Sequence, residues 1–129
     1  MNAEIVTLCH SALVQEGRLS ILGAFDGISA NTMPHKFVCS VAVRIKFSAE
    51  DAGHRRLTVR LLDGDGHTLA QARADVILPE QLPRPIMSLN MAFGPFGLET
   101  RMWGQHAIDL IRDEERPFFR SSFEVFAAH

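Results

Sequence analysis

Leu57-Thr58-Val59-Arg60-Leu61-Leu62, then Asp63-Gly64-Asp65-Gly66, then His67-Thr68-Leu69-Ala70-Gln71-Ala72-Arg73-Ala74-Asp75-Val76-Ile77-Leu78 is the stretch whose reading decides the fold. Apolar side chains alternate with others on both sides of the acidic tetrad, at Leu57, Val59 and Leu61 before it and at Ala70, Ala72, Ala74 and Val76 after it. A period of two sends such residues to one face of an extended chain. Asp-Gly between two runs of this kind is a strong signal for a β-hairpin. The tetrad also resembles the opening of a calcium loop, which would need further oxygen ligands and a bidentate carboxylate at the twelfth position. Counting twelve from Asp63 ends at Ala74, with Asp75 one residue later, and the glycine falls too early. The hairpin is the better reading.

Working outward, the clearest stripe is Phe37, Cys39, Val41, Val43, Ile45 and Phe47, interleaved with Val38, Ser40, Ala42, Arg44 and Lys46. On a helix these apolar residues would scatter around the cylinder, so a long strand with one dry face is expected. Similar runs occur at Arg18 to Ile28, at Met87, Leu89, Met91 and Phe93, at Ile108 and Leu110, and at Phe119, Phe123 and Val125. Ala3 to Leu8 is apolar on both parities apart from Glu4 and Thr7, as in a strand covered on both faces. Turn chemistry separates the runs at Glu16-Gly17, Asn31 to Pro34, Asp51 to Gly53, Asp63 to Gly66, Pro79 to Pro85, Gly94-Pro95 and Asp113 to Pro117. Only Ser48 to Ala52 reads as helical, for a single turn.

About eight strands follow, and a sheet with one apolar face must cover it with a second sheet. The expectation is an all-β, two-sheet antiparallel β-sandwich, immunoglobulin-like or C2-like, forming one domain over residues 1–129. Apolar residues at 47% and charged residues at 22% match a globular chain with a packed core.

The balance of 13 Lys and Arg against 15 Asp and Glu leaves a net charge of −2, with no basic run beyond Arg55-Arg56. Nucleic acid is not an expected partner, because phosphate neutralisation needs a concentrated cationic face. A patch built from Arg44, Lys46, Arg55 and Arg60 is the rival to an ordinary solvated surface. No apolar run reaches the length of a membrane span, and no leader pattern opens the chain. With Cys9 and Cys39 reading as small buried hydrophobes, a cytoplasmic protein is expected.

Chemical motifs are sparse. Asp26, Asp63, Asp65 and Asp113 are the donors for a calcium site of the C2 kind, where acidic loops converge at one end of a sandwich. Each also serves as an ordinary turn former. The histidines, His10, His35, His54, His67, His106 and His129, lack the spacing of a metal pair, and His10 with His106 and Asp109 is the best combination. Cys9-His10 and Ser121-Ser122 lack the glycine-framed elbow of a nucleophile, and no phosphate loop is present. No catalytic, cofactor or metal residue is therefore assigned. Trp103 reads as a plug at the end of the core, and His106 stands where many such sandwiches place a corner tyrosine.

Ala3 to Cys9, Leu19 to Asp26 and the basic strand Val41 to Phe47 resemble a bacterial family of small proteins of unknown function. Its members share the Asp-Gly hairpin and a closing strand pair like Trp103 to Phe126. The resemblance covers most of the chain and implies a β-sandwich with no assigned activity, so no catalytic residue is carried across. The departures are His106, where relatives carry an aromatic or Tyr, and Asp113-Glu114-Glu115, where they carry an Asp-Gly turn.

The function expected on these grounds is non-enzymatic: a module that binds a protein partner or its own copy. Met91, Phe93 and Phe96 are the expected interaction surface, with Phe96 in a loop after Gly94-Pro95. The alternative is a calcium-dependent binding module or metal-assisted enzyme that uses the acidic loops, with His67.

Overall fold

The computed structural model describes residues 1–128; His129 lies outside the described residues. The chain is all-β, with strands β1 (Asn2–Gln15), β2 (Arg18–Phe25), β3 (Gly27–Ala30), β4 (His35–Phe47), β5 (Gly53–Leu62), β6 (Thr68–Leu78), β7 (Met87–Thr100), β8 (Gly104–Arg112) and β9 (Pro117–Ala127). Among the described residues there is no α-helix, and the helical turn expected at Ser48 is a 3-10 turn over Ala49–Asp51. Its closing carboxylate, Asp51, accepts the Ser48 N–H at 3.0 Å.

One sheet has the order β2-β1-β4-β7 and the other β3-β9-β8-β5-β6, the second curling into a half-barrel. The stripe from Phe37 to Phe47 is β4, an interior strand with β1 on one side and β7 on the other. Its Cys39, Val41, Val43 and Ile45 join Leu57, Val59 and Leu61 of β5, Ile108 and Leu110 of β8, and Phe123 and Val125 of β9 in one buried cluster. The expected hairpin is present: Asp63 to His67 join β5 to β6 in antiparallel register.

Nine strands replace the expected eight because the run Arg18 to Ile28 is cut at Asp26. There the chain leaves one sheet and enters the other, and the Asp26 carbonyl accepts the Glu124 N–H. A strand that changes sheets without a reversing turn keeps its direction, so β3 runs parallel to β9 and the architecture is not wholly antiparallel. Gly27 is needed at the crossing, since a Cβ there would lie 3.0 Å from the Phe126 ring.

The double-parity run Ala3 to Leu8 has a different cause from the one expected. Ala3 pairs with Ile45, but Ile5 pairs with Arg44, so a bulge at Glu4 shifts the parity. Ala3, Val6 and Leu8 therefore reach the same core from both parities.

Beyond Cys9 the β1–β2 hairpin leaves its sheet. Two strands separate β2 from β7, yet the Gly17 carbonyl of the hairpin turn accepts a 2.8 Å bond from Asn90 of β7. Asn90 faces away from the core, where its Oδ1 receives Arg44 Nε at 2.8 Å. The hairpin tip thus closes over the outer side of the sheet. Cys9, Ser40 and Ala42 are accordingly buried on a face that the core does not touch.

The β7 strand carries a second bulge. Cys39 pairs with Phe96 and Val41 with Phe93, leaving Gly94 and Pro95 opposite Ser40 alone. Gly94 has φ +112°, and a Cβ there would sit 3.1 Å from Ser40 Oγ and 3.2 Å from the Phe96 amide nitrogen. Gly97 faces open space. Gly94→Ala is expected to destabilise the fold by about 1–3 kcal/mol, and Gly97→Ala to change stability by less than about 0.5 kcal/mol. Urea unfolding of both variants checks this, and equal midpoints would refute the bulge constraint.

Candidate functional site

The hairpin that decides the fold also builds one edge of the five-stranded sheet. Its turn is fastened by one carboxylate: Asp63 Oδ1 accepts the N–H groups of Asp65 and His67, each at 2.9 Å, and Oδ2 lies 3.3 Å from His67 Nδ1. Burial opposes the charge on Asp63, and these N–H donors outweigh it and hold the carboxyl below the usual carboxylate range. Asp63 is a turn residue by contact as well as by position. Gly64 lets the turn lie against β8, where a Cβ would meet the Gln105 carbonyl at 2.9 Å.

From this turn, β6 returns as the last strand of the five-stranded sheet, paired with β5 on one side and unpaired on the other. A bulge at Leu69 shifts the register once, after which Ala70 to Leu78 pair regularly with β5. Ala70, Ala72, Ala74 and Val76 point to the core but are only half-buried, because short side chains at a sheet margin leave the core edge wet. Gln71, Arg73, Asp75 and Ile77 are exposed on the other face, Ile77 at 82%. An unpaired edge of this kind offers N–H and C=O groups to an added strand.

The outer face beside that edge is polar and cross-linked. Gln71, Arg60, Asp109 and Arg120 are cross-strand neighbours on β6, β5, β8 and β9. Arg60 donates to Gln71 at 3.3 Å, and Arg120 grips the buried Asp109 carboxylate with two bonds of 2.6 and 2.8 Å. At the far end of β5, Arg56 reaches Asp75 at 3.2 Å and Glu114 at 2.9 Å, and Arg73 reaches Glu114 at 3.4 Å.

The residues expected to form an interaction surface are placed otherwise. Met91 and Phe93 are buried in the core cluster, and Phe96 is half-buried against it. Phe96 is not in a loop: the Gly94-Pro95 break is a bulge inside continuous β7, so the chain keeps its direction and turns Phe96 inward. The exposed apolar position there is instead Val38, opposite Gly97 and flanked by Lys36 and Glu99.

Asp63 and Asp113 stand at opposite ends of β5, since Asp113 bonds Arg56 while Asp63 follows Leu62, roughly 20 Å along an extended chain. Among the described residues no three His, Cys, Asp or Glu side chains gather as metal ligands. His10 lies in one sheet and His106 in the other, and Asp109 faces away from His106 by strand parity. His106 is a buried corner group, its Nδ1 3.0 Å from the Gly104 carbonyl and its Nε2 2.7 Å from Thr100 Oγ1. The imidazole thus ties the start of β8 to the end of β7. Trp103 does not plug the core: it lies in the crossing between sheets and is 41% exposed.

The basic patch is likewise dispersed. Arg44 and Lys46 lie on the four-stranded sheet with Glu4, at 3.9 and 3.1 Å, while Arg55 pairs with Asp113 at 3.1 Å and Arg60 lies across the other sheet. Both cysteines are free and buried, and burial pushes the Cys39 thiol up to about 11, helped by nearby Cys9. The one signal in the sequence for the open margin was the alanine stripe, because three small residues in a core-facing row cannot fill the edge of a core.

Asp113 supplies a pH test. The Arg56 backbone N–H, and beside it the Arg55 guanidinium, hold its carboxyl below the usual carboxylate range against a smaller burial effect. A carboxylate depressed on folding contributes stability that is full above its unfolded pKa of about 3.9 and lost as pH falls through the folded value. Asp113→Asn is expected to flatten the acid limb of the stability curve below about pH 4 while lowering stability at neutral pH. An unchanged acid limb in melts across pH would contradict the pairing.

The curated proteins and the solved structures offer no match. A family model does match, over residues 4–122 of the chain. With nearly its whole length covered, the chain belongs to the Family of unknown function (DUF6941).

Proposed function

We propose that the protein is a non-enzymatic interaction module that takes up an extended protein segment along the open edge of β6. The observation that carries this reading is the half-buried stripe Ala70, Ala72, Ala74 and Val76 beside an unpaired strand edge. An added strand would satisfy the free backbone groups and dry that stripe in one step. The other margins suit this role less well: β3 has four residues, β2 bends away with the hairpin tip, and β7 is broken by its bulge.

The reading includes a single immunoglobulin-like or C2-like sandwich domain, since one apolar cluster draws residues from both sheets. It also places the protein in the bacterial cytoplasm, in keeping with two free thiols. Among the described residues no helix is long and apolar enough to cross a membrane.

A photo-reactive side chain at Gln71, on the exposed face of β6, is expected to give protein adducts in the native cell. The same group at Arg84, in the loop after β6, is the control and is expected to give few. Equal or absent adducts from Gln71 would refute binding at this edge.

A further inference from the structure

We infer that the segment taken up by β6 is β6 of a second copy of the same chain, paired antiparallel about Ala74; this rests on the strand-addition reading above and specifies its partner. The regular part of the strand runs from Ala70 to Leu78, and Ala74 is its midpoint. A two-fold axis perpendicular to the sheet, midway between Ala74 of one copy and Ala74 of the other, keeps the half-buried face of both copies on one side. Ala72 then meets Val76 of the second copy, and Ala70 meets Leu78.

On the exposed face the same register sets Arg73 opposite Asp75 of the second copy, and Asp75 opposite its Arg73. Gln71 falls opposite Ile77, the most exposed of the large apolar residues. Opposite charges across a non-covalent strand pair stabilise it, and like charges directly opposite destabilise it. A register centred on Arg73 would oppose two arginines, and one centred on Asp75 two aspartates. Charge therefore selects Ala74 among the neighbouring registers that keep the apolar faces together.

The two charges remain available for this pairing. Asp75 uses Oδ1 for both Arg56, at 3.2 Å, and His54, at 3.4 Å, and among the described residues its Oδ2 accepts no hydrogen bond. Arg73 uses only Nη1, toward Glu114. Both side chains are 54% exposed, so changing them leaves the core alone. A charged edge normally discourages strand addition. Here the signs alternate around the midpoint, so the edge repels a displaced copy and accepts one in register.

Sedimentation equilibrium of the full chain over a wide concentration range tests the inference. Wild type is expected to dimerise, and Arg73→Asp or Asp75→Arg alone to weaken the dimer by at least about tenfold. Arg73→Asp/Asp75→Arg together restore it, and a mixture of the two single variants forms a mixed dimer, since each then supplies the charge the other needs. Circular dichroism confirms that each variant is folded. A wild type that stays monomeric at every concentration overturns the inference. So does a dimer indifferent to the single reversals. Adducts at Gln71 whose mass corresponds to a different protein, found with a monomeric wild type, overturn the second copy as partner but leave strand addition standing.

Discussion

Everything in this fold hangs on drying one face of β4. Its Cys39, Val41, Val43 and Ile45 are buried in the middle of a sheet, flanked by β1 and β7, and opposed by Leu57, Val59 and Leu61 of β5. At about 25 cal/mol per Å² of apolar area, burial is the dominant favourable term for a chain of this size. Other elements can be understood by how they bring side chains to that surface. The bulge at Glu4 exists because Ala3 and Val6, of opposite parity, both have to reach it. The bulge at Gly94-Pro95 does the same for β7, so that Phe93 and Phe96 both face inward.

Those two bulges mark where periodicity misleads. Periodicity assigns a face by counting in twos, and one extra residue reverses every assignment downstream. By period alone Ala3 to Leu8 reads as a strand with two covered faces, and Phe96 as a loop aromatic beyond a turn. Both are strand residues directed at a single core. The local sequence of a bulge, Gly94-Pro95 here, is also that of a turn, and only pairing with Ser40 on β4 distinguishes them.

The opposite situation is found where the core is not fully covered. The margin along β6 has alanines where an interior strand would carry larger side chains, so water reaches the core edge. Polar groups elsewhere are tied up locally: Asp63 in its own turn, Asp113 at Arg55 and Arg56, Asp109 under Arg120, and His106 at Thr100. Their bonds explain each of these residues as structural. Along β6, Arg73 and Asp75 also have local partners, Glu114 and Arg56, and it is the unpaired backbone edge itself that no intramolecular contact accounts for.

The sequence by itself determined the all-β class, the Asp63 to Gly66 hairpin, the core stripe of β4 and the family, because these depend on local turn chemistry, on period-two patterning and on residues at fixed positions. It also determined that Asp63 serves a turn, since ligand counting needs no coordinates. Tertiary structure alone decided which strand is an edge, which acidic loops are far apart, and where the chain changes sheets at Asp26. These are properties of strand order and of residues distant in sequence, and a repeat of two along one strand contains no information about its neighbours. The Leu57 to Leu78 hairpin spans both cases: its turn is readable in four residues, and the open edge of β6 exists only because β7 was placed in the other sheet.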